Sequence, residues 1–136
     1  MVMKKMRIKH LLSVLLYIVF IDAMWIVSVA MPLYQSQLGA IVNQKEYFIQ
    51  AAVLIYALLF GGFYVLILRW MAQQPPRVMV THAVIYGMTI YGVYSLTNYT
   101  IFPSWSLLLV VTDICWGSVL FGSSALLMIW LKKYDR

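Results

Sequence analysis

Four long apolar stretches dominate this chain, and each is close to the length of helix that crosses a bilayer core, about 20 residues. They run from about Ile8 to Pro32, Phe48 to Trp70, Val78 to Asn98 and Trp105 to Leu131. What separates them is short: a basic N-terminus, one longer loop, "MAQQPPR", "YTIFPS" and a basic tail. Of the 136 residues, 64% are hydrophobic and only 10% charged, where a soluble domain carries roughly 25% charged residues. The water-facing surface is missing, so lipid must be the solvent. The expected architecture is an all-α integral membrane four-helix bundle, a single domain over residues 1–136.

The net charge of +6 sits at the ends of the apolar runs. That placement is a topology signal and not the basic surface or stripe of a nucleic-acid binder. Lys4, Lys5, Arg7 and Lys9 precede the first span, Arg69 and Arg77 flank the second loop, and Lys132, Lys133 and Arg136 follow the last. Of the ten basic residues only Lys45 falls on the opposite side, beside Glu46. The positive-inside rule therefore puts both termini in the cytoplasm. "KKMRIK" before an apolar run and the later "SVA" imitate a signal peptide. The run is too long for one and contains Asp22 and Trp25, so the first span is expected to be structural.

The connections carry their own signals. In the first loop, Leu38, Ile41 and Val42 follow Tyr34 at helical spacing, which suits a short amphipathic segment in the interface or an apolar loop packed over the bundle mouth. "QQPPR" stops the second helix, because proline lacks a donor and disfavours helix in its predecessor. "FPSW" starts the fourth, with Ser104 as N-cap and Trp105 as an interfacial anchor. Asn98-Tyr99-Thr100 matches a glycosylation sequon, better explained by chance in a tight loop beside the membrane.

Two aspartates lie inside the apolar runs, each three residues before a tryptophan: "DAMW" (Asp22 to Trp25) and "DICW" (Asp113 to Trp116). An acid at a helix centre costs about 2.5–3.5 kcal/mol on insertion scales. At about 1.5 Å of rise per residue, Asp22 lies roughly 15 Å below a helix end at Pro32, and Asp113 roughly 12 Å below Trp105. Tyr56 and Tyr91 come to the same depth, so one polar group from each helix is expected on a common layer. Ser106, Asp113, Gly117 and Ser124 share a stripe with Trp116 alongside, and Gly87, Tyr91, Tyr94 and Asn98 form another. Stripes of small and polar residues mark faces that pack against other helices. No basic residue reaches this layer, so the cheapest response of such an acid is to stay protonated. Three residues of helix put each tryptophan beside its own aspartate. A neutral acid beside an indole face suits cation binding, or protonation of an alkene.

The blander reading is that the acids hydrogen-bond nearby Tyr, Asn and Thr groups and hold the bundle together. Such bonds average only about 0.6 kcal/mol in membranes, a small return for two insertion penalties. Elsewhere the chemistry is sparse. His10 with Met1, Met3 and Met6 offers soft ligands for copper(I), but Lys4, Lys5, Arg7 and Lys9 would repel a cation. His82 stands alone near the end of its span. The lone Cys115 makes neither a disulfide within the chain nor a metal cluster. The glycines of "FGGFY" and "YGMTIYG" are explained by close helix packing. There is no nucleotide loop, no Ser–His–Asp set and no zinc spacing, so neither metal nor cofactor is expected.

Taken in order, the motifs resemble the small bacterial membrane proteins of domain-of-unknown-function family 2177. The shared elements are Asp22-Ala23-Met24-Trp25, then Tyr34 and "QLG" (Gln37 to Gly39), "AAVLIY" (Ala51 to Tyr56), "YSLTN" (Tyr94 to Asn98) and "DICWG" (Asp113 to Gly117). The chain departs at Ser95, where the family pattern implies an acid. The resemblance implies the fold, a bacterial inner-membrane location and this residue set, and no activity.

The expected site is thus Asp22, Trp25, Tyr56, Tyr91, Thr97, Asn98, Asp113 and Trp116. Three functions suit it. The first is binding or transport of a proton, cation or small ligand. The second is membrane enzymology on a lipid or isoprenoid, with Asp as general acid and a long apolar cavity reaching the acids. The third is a subunit packed in a larger membrane complex or homo-oligomer, with glycine-bearing faces pointing outward. The bilayer is a partner in all three.

Overall fold

A computed structural model describes residues 6–39 and 48–135. Ile41, Val42, Lys45 and Glu46 of the first loop, and the methionines and lysines before Met6, lie outside the described residues. Helix α1 (Ile8–Trp25) passes through a π-helical stretch (Ile26–Ala30) into α2 (Met31–Leu38). Helix α3 (Phe48–Phe63) ends in a second π-helical stretch (Tyr64–Arg69), and α4 (Pro76–Ile101) and α5 (Leu107–Tyr134) follow. The continuous rods Ile8–Leu38, Phe48–Arg69 and Leu107–Tyr134 are each long and apolar enough to cross a membrane. The 26 residues of α4 are as long but more polar.

The first helix does not stop at Pro32. A proline costs a helix the hydrogen bond its N–H would make, and here the backbone changes pitch just before it. The N–H of Met31 bonds the carbonyl of Ile26, five residues back, and the proline ring is exposed. Such wide turns recur where a helix absorbs an irregularity. The rod therefore runs to Leu38 and carries Leu33, Tyr34 and Leu38 against Trp105, Leu109 and Val110 of the last segment.

The start of α5 is also displaced. The N–H of Trp105 closes a turn onto the carbonyl of Phe102, and Ser106, not Ser104, caps the helix, its Oγ accepting from the Leu109 N–H at 3.4 Å. Trp105 is 5% exposed and points inward, where its Nε1 donates to Ser95 Oγ at 3.0 Å. A buried indole needs a partner for its N–H, and Ser95 supplies it. The expected interfacial anchor is a packing residue.

Helices α4 and α5 form the closest pair. A Cβ placed on Gly87 would fall inside the Gly117 carbonyl, and one on Gly117 would meet the Gly87 oxygen at 2.5 Å. Only glycine at both positions lets the two backbones touch. Gly62, Gly92 and Gly122 likewise face side chains of neighbouring helices. The core, including Ile18, Leu59, Phe63, Ala83, Phe121 and Met128, fills the half of the bundle toward the chain termini. There Phe121 packs on Phe63 and Tyr86, with ring centroids 5.0 and 4.9 Å away. The first and last described segments meet at that end: Asp135 pairs with Lys9, with Arg7 at 3.2 Å and with His10 Nε2 at 2.9 Å.

Candidate functional site

Above this core the four rods converge on Asp22. Its Oδ1 accepts from the Trp116 Nε1 at 2.8 Å and the Tyr91 hydroxyl at 3.0 Å, and its Oδ2 accepts from the Tyr56 hydroxyl at 2.8 Å. One donor comes from each of α3, α4 and α5. All three groups carry a donor, and both carboxyl oxygens of Asp22 serve as acceptors. The residue is 5% exposed.

The expected common layer is thus present, with a different fourth member. On α5 the group that reaches Asp22 is Trp116, while Asp113 lies about 4.5 Å further along the helix toward the opposite end. At that height the extended first rod delivers Tyr34, whose hydroxyl donates to Asp113 Oδ1 at 2.8 Å. Asp113 is 3% exposed, and its Oδ2 is enclosed without a partner at hydrogen-bonding geometry; Ser95 is the nearby polar side chain that bears on it. A buried polar group left without a partner costs about 1–3 kcal/mol.

The tryptophans are cross-paired. Trp25 stacks on Trp116, with centroids 4.4 Å apart and planes 3° from parallel. Trp116 gives its N–H to the aspartate of the other motif. Intrahelical neighbourhood, expected from the three-residue spacing, is overridden by contact between helices.

Asp22 and Asp113 line one cavity of about 360 Å³, together with Trp25, Ile26, Ala30, Tyr34, Ile55, Leu59, Ile90, Tyr91 and Tyr94. Leu59 also belongs to the core, so the packed half of the bundle forms its floor. Toward the loops, the rings of Tyr34 and Tyr94 pack on Trp105, at 5.2 and 6.0 Å. No basic residue contributes to the wall. No group of three or more His, Cys, Asp or Glu able to hold a metal occurs among the described residues.

Of the expected site residues, the structure brings Asp22, Tyr56, Tyr91 and Trp116 into one hydrogen-bonded set. Trp25 joins through stacking, and Asp113 through the shared cavity. Asn98 stands one turn beyond Tyr94, half-buried, with its side chain directed to that tyrosine. Thr97 does not join: it is exposed, and its carbonyl accepts from Thr100. Six residues from Tyr91 is about 240° of helix rotation, so it points away. Tyr34 and Ser95 were missed. The first span as read from the sequence ends at Pro32, which leaves Tyr34 in the loop, and Ser95 stands out there only as a departure from the family pattern, with no partner to indicate its place.

No curated protein and no solved structure matches the chain. Residues 7–130 match the family described as "Predicted membrane protein (DUF2177)", and with the apolar rods and the paired Asp-x-x-Trp motifs now in place, the chain belongs to that family of membrane proteins.

Proposed function

We propose that this is a four-span protein of the bacterial inner membrane, with cytoplasmic termini, that binds or transports a proton, cation or small ligand between Asp22 and Asp113. The observation that carries this reading is two buried carboxylates on one cavity whose wall holds no basic side chain. Charge of that sign inside a membrane is costly unless something cationic shares the site. The fourth span in this reading is α4, whose 26 residues extend about 39 Å, more than a bilayer core of about 30 Å. The joined termini and the basic residues at their end support the orientation.

The experiment is infrared difference spectroscopy in lipid, comparing the native chain with Asp22→Asn and Asp113→Asn across pH and with added cations. A carboxyl band that responds to pH or cation and disappears in either variant is expected. A carboxyl spectrum indifferent to both overturns the proposal.

The second reading, an enzyme acting on a lipid or isoprenoid, draws on the mostly apolar wall of the cavity; turnover of such a substrate, lost in Asp113→Asn, would establish it. The subunit or homo-oligomer reading has less to stand on. It calls for outward glycines, whereas among the glycines of α3, α4 and α5, Gly62, Gly87, Gly92, Gly117 and Gly122 face neighbouring helices and Gly61 alone meets nothing within 4 Å.

A further inference from the structure

We infer that the ligand of this cavity is a membrane-dissolved amphiphile with a protonated amine head, admitted sideways from the lipid between α1 and α3. The inference rests on the binding reading above and names its ligand class.

The cavity has two chemically different ends, and a ligand must satisfy both. Its volume of about 360 Å³ falls at the lower end of the range for small-molecule sites, roughly 300–1,000 Å³. A bare proton would leave that volume unfilled. A hard metal cation wants six or more oxygen ligands, while the wall offers two carboxylates whose phenolic neighbours already donate to them. An anion would meet only like charge. A purely apolar molecule would fit Ile26, Ala30, Ile55, Leu59 and Ile90 but would leave Asp113 Oδ2 without a partner. An amine on an apolar tail meets every condition.

The hydrogen-bond count agrees. A carboxylate has roughly four lone-pair sites. Asp22 already accepts three donors, leaving about one, and the enclosed Asp113 Oδ2 accepts none at hydrogen-bonding geometry. A primary ammonium brings three donors. Trp25, Tyr34, Tyr91 and Tyr94 line the same space, and an aromatic ring attracts a cation in addition.

The route is read from exposure. Ile26 and Ile55 line the cavity and also reach the outer surface, at 38% and 54% exposed. They belong to the π-helical stretch after α1 and to α3, so the gap between those rods is a lateral mouth. Around it α3 turns Leu54 and Leu58 outward, the apolar surface that a tail crosses when it leaves the bilayer.

The test uses the full chain in lipid nanodiscs, with octylamine, octanol and octanoate as probes matched in tail length, and empty nanodiscs as the partition control. Saturable retention of octylamine is expected, at least tenfold tighter than octanol, with no retention of octanoate. Asp22→Asn and Asp113→Asn should each weaken octylamine at least tenfold. Ile55→Trp fills the mouth while leaving both acids and their donors intact, and it should slow octylamine uptake at least threefold; it also keeps the test open where an acid variant fails to fold. Octanol binding as tightly as octylamine overturns the amine assignment. Unchanged uptake in Ile55→Trp overturns the lateral route. If octylamine fails to bind while the infrared carboxyl response persists, the amine is wrong and the acid site survives. Loss of both responses removes the two proposals together.

Discussion

The indole N–H of Trp116 is bonded to Asp22, 2.8 Å away on another helix, and not to Asp113, three residues back in its own motif. With Trp25 stacked flat on the same indole, the two Asp-x-x-Trp motifs act as halves of one clasp between the first and last rods.

The clasp can be checked energetically. Trp116→Phe keeps a ring against Trp25 and removes the donor, and should destabilise the protein by about 0.6 kcal/mol, with about 1.7 as an upper limit for such bonds in membranes. In double-mutant cycles followed by denaturant unfolding in micelles, Trp116→Phe should couple to Asp22→Asn and be nearly additive with Asp113→Asn. The opposite pattern would refute the crossed pairing.

The two acids should respond unequally to loss of a tyrosine hydroxyl. Tyr56→Phe leaves Asp22 with two donors, so its cost should stay near 0.6 kcal/mol. Tyr34→Phe removes the donor to Asp113 Oδ1 beside an Oδ2 that already lacks a partner, and should cost more, about 1–3 kcal/mol. Equal losses in the same unfolding assay would contradict the separate environments.

Glycine positions separate contact from composition. Gly87→Ala puts a methyl group into the Gly117 backbone, and should destabilise by at least the roughly 1–3 kcal/mol of an overpacked core. Gly61→Ala meets nothing within 4 Å, and should be neutral or stabilising by up to about 1 kcal/mol through lower unfolded-state entropy. Thermal midpoints of the two variants decide the point.

The junction of the termini carries an acid-sensitive contribution. The Lys9 hydrogen bond to Asp135, and then the charges of Arg7, Lys9 and His10, hold its carboxyl below the ordinary value of 3.8, against an opposing contribution from desolvation. A depressed folded-state value means stability is present above the unfolded value and is lost as pH falls through the folded one. Amide protection factors at the start of α1, corrected for the intrinsic pH dependence of exchange, should therefore fall below about pH 3.8, and Asp135→Asn should show lower protection at neutral pH. A pH-independent protection factor in the native chain would exclude this role.

Much of the protein was legible from sequence because lipid imposes simple rules. Apolar length fixes where helices run, and the strong cost of a buried acid makes Asp22 and Asp113 stand out without any partner in view. Tyr56 and Tyr91 followed from depth alone, since rise per residue is nearly constant along a helix. Rotation put Tyr91 on the packed face with Gly87, Tyr94 and Asn98, and the same rotation turns Thr97, which was never on that stripe, away from it.

By itself, then, the sequence determined the helical rods, their apolar faces, the membrane family and the height of the acids along their helices, all properties set locally by hydrophobicity and helix geometry. Only the tertiary structure decided which groups meet. Pro32 reads locally as a stop, yet a change of pitch at Ile26–Ala30 carries the helix on to Leu38 and brings Tyr34 to Asp113. The glycine contact of α4 with α5 and the stacking of Trp25 on Trp116 then assign each aspartate its own donors. Those partners come from other helices, 34 to 94 residues away along the chain, a relation that no local pattern encodes.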